Sequence, residues 1–140
     1  MKSPRTRTVK IDIASRLEML ETVQTVLTHV TSLLGFEDDA AHYMSVAVRE
    51  SVVNAIKHGN REDERKRVSV SFVIHPKALE VEVLDEGPGF DPGRIPDPVA
   101  DENLLKTDGR GIFFMRSFMD EVTYSFPPKG GTLVRLVKRL

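Results

Sequence analysis

The chain contains no cysteine in its 140 residues. Disulfide bonds and thiolate metal sites are therefore excluded, and the absence fits a reducing compartment. An excess of either charge is also missing, because 20 Lys and Arg residues balance 21 Asp and Glu residues to a formal net charge of -1. Without an overall field of one sign, we expect neither direct nucleic-acid binding nor a membrane partner.

Long apolar runs are absent as well. No stretch approaches the roughly 20 apolar residues that a membrane-spanning helix needs, and the first ten residues, MKSPRTRTVK, lack the apolar core of a signal peptide. These absences predict a cytoplasmic protein. The composition, with 40 % hydrophobic and 29 % charged residues, is that of an ordinary globular protein, and the length suits one domain over residues 1–140.

Hydrophobic periodicity in the N-terminal half predicts a strand followed by two helices. Thr8–Ala14 alternates apolar and polar residues, as a half-buried strand does. Ser15–Glu18 has the pattern of a capping box and predicts the start of a first helix, which Gly35 can close. A second helix is expected over Asp38–Gly59, because the acidic residues at its start suit a helix N-terminus.

The C-terminal half predicts a hairpin, a loop, a helix and two closing strands. From residue 91 to about 110, three prolines exclude long regular structure, and a loop this long is typically a lid or binding loop. The regular elements expected are Val68–Ile74, Leu79–Val83, Ile112–Met119, Val122–Phe126 and Thr132–Val137. This order predicts an α+β fold, a two-layer sandwich with a mixed, mostly antiparallel sheet and helices on one face.

A row of polar residues interrupts the second helix in the stretch RESVVNAIKHGN, Arg49–Asn60. Glu50, Asn54 and His58 are spaced by four residues, so on an α-helix they lie on one face, about 6 Å apart along the axis. The row is either the exposed stripe of an amphipathic helix or a functional set, since carboxylates and amides are costly to bury without partners.

A second motif, DEGPGF, follows the second strand of the hairpin and contains Asp85, Gly87 and Gly89. A tight turn needs one glycine, whereas two allow the backbone to approach a ligand closely. A dinucleotide-binding loop also follows a strand, but it leads at once into a helix. That alternative is excluded here because three prolines follow, Pro92, Pro96 and Pro98.

Two further glycine pairs are weaker signals. Gly109 and Gly111 lead into the helix expected from Ile112, where free amides and the helix dipole favour a phosphate group. Gly130 and Gly131 precede the last strand and, taken alone, indicate a hairpin turn.

The order of these motifs resembles the N, G1, G2 and G3 boxes of the GHKL ATPases, the superfamily of DNA gyrase, MutL, the heat-shock chaperone ATPases and histidine kinases. The boxes are Glu-x-x-x-Asn, Asp-x-Gly-x-Gly, Gly-x-Gly after a lid, and Gly-Thr. The resemblance spans nearly the whole chain and implies the histidine kinase-like ATPase fold. With NAIKHGN and GIFFMRSFMDEV in a short single domain, the chain is similar to bacterial anti-sigma factor serine kinases of the RsbW and SpoIIAB type.

The resemblance implies a role for each motif residue. Glu50 corresponds to the general base that takes the proton of a substrate hydroxyl, and Asn54 corresponds to the ligand of Mg²⁺. Asp85 corresponds to the aspartate that reads the amino group of adenine, so the nucleotide expected is ATP rather than GTP. Gly87 and Gly89 would let the backbone approach it.

The remaining positions would hold the rest of the nucleotide. Gly109 and Gly111 would give amides to the phosphates, Lys106 and Arg110 in the lid would neutralise their charge, and Thr132 would lie near the adenine. For His58 we expect a structural hydrogen bond rather than catalysis.

The resemblance also implies partners. A kinase of this type phosphorylates an anti-anti-sigma protein of the STAS type, sequesters a sigma factor and forms a homodimer. The alternative is a nucleotide-dependent binding module that switches partners without phosphoryl transfer, because the family includes such members. Glu50 and Asn54 favour the kinase.

Overall fold

A computed structural model describes residues 6–88 and 118–140. The strands and helices, in chain order, are β1 (Arg7–Ala14), α1 (Leu20–Leu34), α2 (Asp38–Asn54), β2 (Arg67–His75), β3 (Ala78–Leu84), β4 (Glu121–Ser125) and β5 (Leu133–Arg139). The expected lid lies outside the described residues, as does most of the helix expected over Ile112–Met119.

The strands form one sheet in the order β1-β2-β3-β5-β4, and all four neighbouring pairs are antiparallel. The register aligns apolar residues across the sheet, as in the row formed by Ile11, Val70, Val83 and Val134. Because side chains alternate between the faces of a strand, such rows give the sheet one apolar face. The predicted α+β fold is confirmed.

Both helices cover this apolar face. Val23 and Leu27 of α1 and Met44 and Val48 of α2 are each at most 1 % exposed, and they join the same core as Phe72 of β2. Their four-residue spacing places the apolar residues of each helix on one side, which is the side that packs against the sheet. The core therefore packs α2, the helix that carries Glu50 and Asn54, directly against the sheet.

The capping box expected at Ser15 is wrong. Residues 17–19 form a short 3₁₀ turn, and α1 begins only at Leu20, without a side-chain cap on either element. The Ser15 hydroxyl is buried and donates instead to the Lys66 carbonyl at 2.7 Å, while Glu18 pairs with Arg16 at the surface. The Ser15 hydroxyl therefore bonds to a residue distant in the sequence rather than to an amide at the start of the helix. Gly35 does close α1 in a left-handed conformation, with φ +79°.

The second helix begins at Asp38 as predicted, but its α-helical part ends at Asn54. Residues Ala55–Gly59 form a π-helical turn, and the Asn60 amide donates to the Ala55 carbonyl at 2.8 Å. A π turn inserts an extra residue and rotates the residues after it relative to an α-helix. The polar row therefore keeps α-helical spacing between Glu50 and Asn54 but not on to His58, which is exposed.

The same helix carries a buried serine hydroxyl, that of Ser51. Ser51 is 2 % exposed, and its Oγ has no partner among the described residues. We expect Ser51→Ala to raise the free energy of unfolding by about 1 kcal/mol, because alanine removes an unsatisfied polar group and favours the helix. Urea unfolding measures the change.

Ser45 of α2 provides the matched control for Ser51, because its hydroxyl donates to the Gln24 side chain. Ser45→Ala should therefore lower the free energy of unfolding. A Ser51→Ala variant as unstable as Ser45→Ala would show that the Ser51 hydroxyl does have a partner.

Candidate functional site

The candidate site is centred on Asp85, where the end of β3 meets the start of β5. The side chain is 6 % exposed, and its Oδ1 accepts hydrogen bonds from the Gly87 amide at 3.0 Å and the Thr132 amide at 3.1 Å. The Asp85 amide donates in turn to the Thr132 carbonyl at 3.2 Å. Backbone amides of two segments, the turn after β3 and the start of β5, thus hold the carboxylate through Oδ1.

The second oxygen of Asp85 lies against the end of the π turn. Among the described residues, no donor reaches Oδ2, and a Cβ atom at Gly59 would lie 2.2 Å from it. Burial raises the pKa of Asp85, against the opposing effects of the Gly87 and Thr132 amides and of Lys66. A buried carboxylate with one free acceptor fits a ligand that brings a hydrogen-bond donor, such as the amino group of adenine.

Three glycines make this arrangement possible. Besides Gly59, Gly87 has no room for a side chain, because its Cβ would lie 2.2 Å from the Gly59 carbonyl oxygen. Gly131 has φ +89°, and its Cβ would lie 2.2 Å from the Asp85 carbonyl oxygen. The end of α2, the turn after β3 and the start of β5 therefore approach each other backbone to backbone.

We expect Gly131→Ala to be far more destabilising than Gly35→Ala. Both glycines have positive φ, but a Cβ at Gly35 meets nothing within 4 Å. Gly35→Ala should cost about 1–2 kcal/mol for the left-handed conformation alone. Gly131→Ala should cost about 1–3 kcal/mol more for the steric conflict.

Thermal and urea unfolding of the two glycine variants measure this difference. Equal losses of stability would show that the close approach of Gly131 to Asp85 is absent in solution.

The two polar residues of α2 lie one turn apart and are half-buried. Within residues 6–88 and 118–140, neither Glu50 nor Asn54 has a hydrogen-bond partner. An amide oxygen such as that of Asn54 is a hard donor of the kind that Mg²⁺ prefers. No cluster of three or more His, Cys, Asp or Glu able to hold a metal occurs in residues 6–88 or 118–140.

The structure thus places part of the predicted set. Asp85, Gly87 and Thr132 are in direct contact, and α2, which carries Glu50 and Asn54, reaches Asp85 through its π turn. The other predicted residues lie outside the described part of the chain: Gly89, Lys106, Gly109, Arg110 and Gly111.

Two residues beside Asp85 were not assigned to the site from the sequence: Gly59, whose backbone meets the Asp85 carboxylate, and Asn60, whose side chain accepts from the Glu86 amide. The signal available for both was the pair Gly-Asn directly after His58, the last residue of the polar row. Gly131 belongs to the Gly-Thr motif that resembles the G3 box, but its close approach to the Asp85 backbone was not predicted.

Comparison with known proteins agrees with this geometry. The family described as "Histidine kinase-like ATPase domain" matches residues 13–138. The chain belongs to this family. The match covers all the described elements of the site, from α2 to the start of β5.

Curated relatives within this ATPase family are serine-protein kinases. The chain is 30 % identical over 122 residues to the serine-protein kinase RsbW of Bacillus subtilis (strain 168), covering 81 % of this chain and 75 % of that protein. It is 29 % identical over 140 residues to RsbW of Bacillus velezensis, covering 94 % and 85 %. The chain is therefore grouped with ATP-using serine-protein kinases of the RsbW type, as the motifs predicted.

A solved structure has the same fold. The crystal structure of the RsbU and RsbW domains of Rv1364c from Mycobacterium tuberculosis matches with a TM-score of 0.69 and 18 % identity. The match covers 96 % of this chain but 32 % of that one, so this chain spans about a third of its length. Within the described ranges, no helix combines the length and apolar character needed to cross a membrane.

Proposed function

We propose that this chain transfers the γ-phosphoryl group of ATP to a serine or threonine of a STAS-type anti-anti-sigma protein, and that it also sequesters a sigma factor. The observation that supports the nucleotide site most directly is the buried Asp85 carboxylate, which has one oxygen fixed by two amides and the other free of donors among the described residues. The kinase names of the relatives support the reaction.

In this proposal Asp85 selects adenine. Its free Oδ2 accepts a hydrogen bond from the exocyclic amino group, while Thr132 lies beside the base and Gly87 and Gly89 allow the backbone close to it. Guanine presents an acceptor at the same position, so GTP would leave two buried acceptors facing each other. Such a mismatch costs roughly 1–3 kcal/mol.

The phosphoryl-transfer step uses two residues of α2, Glu50 and Asn54. As the substrate hydroxyl oxygen attacks the γ-phosphorus, its proton passes to the Glu50 carboxylate, the bond to the β,γ-bridging oxygen breaks, and ADP leaves. Asn54 would hold Mg²⁺ through its amide oxygen, and the bound ion would neutralise phosphate charge. The amides of Gly109 and Gly111 and the cations of Lys106 and Arg110 are proposed to hold the phosphates.

The partners belong to the proposal as well. The acceptor would be a STAS-domain protein, and the unphosphorylated form of that protein would release the bound sigma factor. The kinase would act as a homodimer in the cytoplasm. The support for these partners is the resemblance of the motifs to anti-sigma factor serine kinases, together with the RsbW name of the curated relatives.

A transfer assay tests the proposal. Purified chain, Mg²⁺ and γ-labelled ATP are mixed with the STAS-domain proteins of the same genome, and labelled residues are mapped by mass spectrometry. We expect label on one serine or threonine of a STAS protein. If no STAS protein is labelled while one still releases a sigma factor in a nucleotide-dependent way, the chain is a partner-switching module rather than a kinase.

A further inference from the structure

Asn60 is a buried side chain that the proposed reaction does not use. It follows the π turn and is 1 % exposed. Its Oδ1 accepts from the Glu86 amide at 2.8 Å. Its Nδ2 donates to the Ser15 hydroxyl at 2.8 Å and to the Arg67 carbonyl at 3.0 Å. Both ends of the amide are therefore used, in three different parts of the chain.

These contacts place Asn60 between the two halves of the candidate site. One half is α2, with Glu50 and Asn54, and the other is the turn of Asp85. The bond from the Glu86 amide to Asn60 Oδ1 joins the end of α2 to this turn. Gly59 also lies in close steric contact with the Asp85 side chain and with Gly87.

The turn itself is short and tightly coupled to its neighbours. Glu86 stands between Asp85 and Gly87, and the Gly87 amide donates to Asp85 Oδ1. Without the Asn60 oxygen, the part-buried Glu86 amide would lose its partner, and an unsatisfied backbone donor favours a shift of the backbone. A shift of Glu86 moves both of its neighbours, and with them the free Oδ2 of Asp85.

We propose that Asn60 is a positioning residue: it holds the adenine-reading turn of Asp85 in register with the helix that carries Glu50 and Asn54. This inference rests on the proposed function. It adds that nucleotide selectivity depends on a side chain that does not touch the nucleotide. A purely structural Asn60 would contribute to stability and leave selectivity unchanged.

The comparison of Asn60→Ala with Ser15→Ala separates these two roles. Ser15→Ala removes the other side of the same network, including the bond to the Lys66 carbonyl, but leaves the Glu86 amide on Asn60. Both variants should be less stable than wild type. The dissociation constants of ATP and of GTP, each with Mg²⁺, are measured by calorimetry at a temperature where both variants are folded.

We expect Asn60→Ala to weaken ATP binding about tenfold and to reduce the preference for ATP over GTP, because a hydrogen bond that fixes the reading turn is lost. Ser15→Ala should keep both quantities near the wild-type values. If the two variants have the same ATP affinity and the same preference, Asn60 is structural only and the inference is overturned.

Asn60→Asp decides the question if the alanine variant does not fold. It keeps an oxygen for the Glu86 amide and loses the donated bonds, so we expect a lower melting temperature with ATP affinity within about twofold of wild type. A folded Asn60→Asp protein that no longer prefers ATP overturns the inference. Wild-type protein that binds no ATP overturns the proposed function and the inference together, whereas normal binding by the Asn60→Ala protein overturns the inference alone.

Discussion

Glu50→Gln is expected to slow phosphorylation of the protein substrate by a factor of about 10²–10⁴, the usual contribution of a general base, and to leave the affinity for ATP unchanged. Glutamine keeps the size of the side chain but cannot take the proton of the attacking hydroxyl. Glu50 is half-buried on α2, one turn before Asn54, so the substitution removes a charge without opening a cavity.

Single-turnover transfer from labelled ATP measures the rate for Glu50→Gln, and calorimetry measures the affinity. Glu21 lies exposed in the first turn of α1 and provides a control of the same residue type, since Glu21→Gln should affect neither quantity. Full transfer activity in the Glu50→Gln protein would remove Glu50 from the chemistry.

Asp85→Asn is expected to weaken ATP binding at least about tenfold while the fold is retained. The asparagine Oδ1 can still accept from the Gly87 and Thr132 amides, which keeps the turn in place. The group that replaces Oδ2 is then an NH₂ donor, and it faces the amino group of adenine, which is also a donor. Loss of the base contact follows without loss of the structure.

The same substitution should change the pH dependence of stability. In the folded protein, burial raises the pKa of Asp85 above its ordinary value of 3.8. Protonated Asp85 therefore favours the folded state at acid pH, and this contribution to stability is lost as the pH rises through the raised pKa. Relative to wild type, Asp85→Asn should therefore gain stability from acid pH toward neutral pH. Urea unfolding between about pH 3 and pH 7 measures the difference.

Asp12 supplies the control for Asp85, because its Oδ1 also accepts a hydrogen bond, from Ser69, but at an exposed position on β1. Asp12→Asn should leave the affinity for ATP unchanged. An Asp85→Asn protein with wild-type affinity for ATP would contradict the role of Asp85 in reading the base.

The strands were predictable because their signal is local. Alternation across the hairpin predicted Val68–Ile74 and Leu79–Val83, and the structure extends each strand by one residue at either end. Ser15 shows where local reasoning fails: a capping pattern was present, but the hydroxyl bonds to a carbonyl 51 residues away. Sequence spacing contains no information about such a partner.

The candidate site also contains some residues that local sequence motifs predicted and others that they did not. Asp85 and Gly87 were identified because their motif is continuous in the chain, and the structure brings them together with Thr132. Gly59 and Asn60 were not assigned, because their importance arises only when α2 meets the end of β3. The π turn that brings them there replaces the α-helical geometry that the spacing predicted.

Binding of ATP and GTP to the wild-type chain, measured by calorimetry with Mg²⁺, is the sharpest test of adenine recognition by Asp85. We expect one ATP per chain and a dissociation constant for GTP about 5- to 150-fold higher, from one unmatched acceptor pair at Asp85. Absence of ATP binding, or equal affinity for the two nucleotides, would show that Asp85 does not read the base.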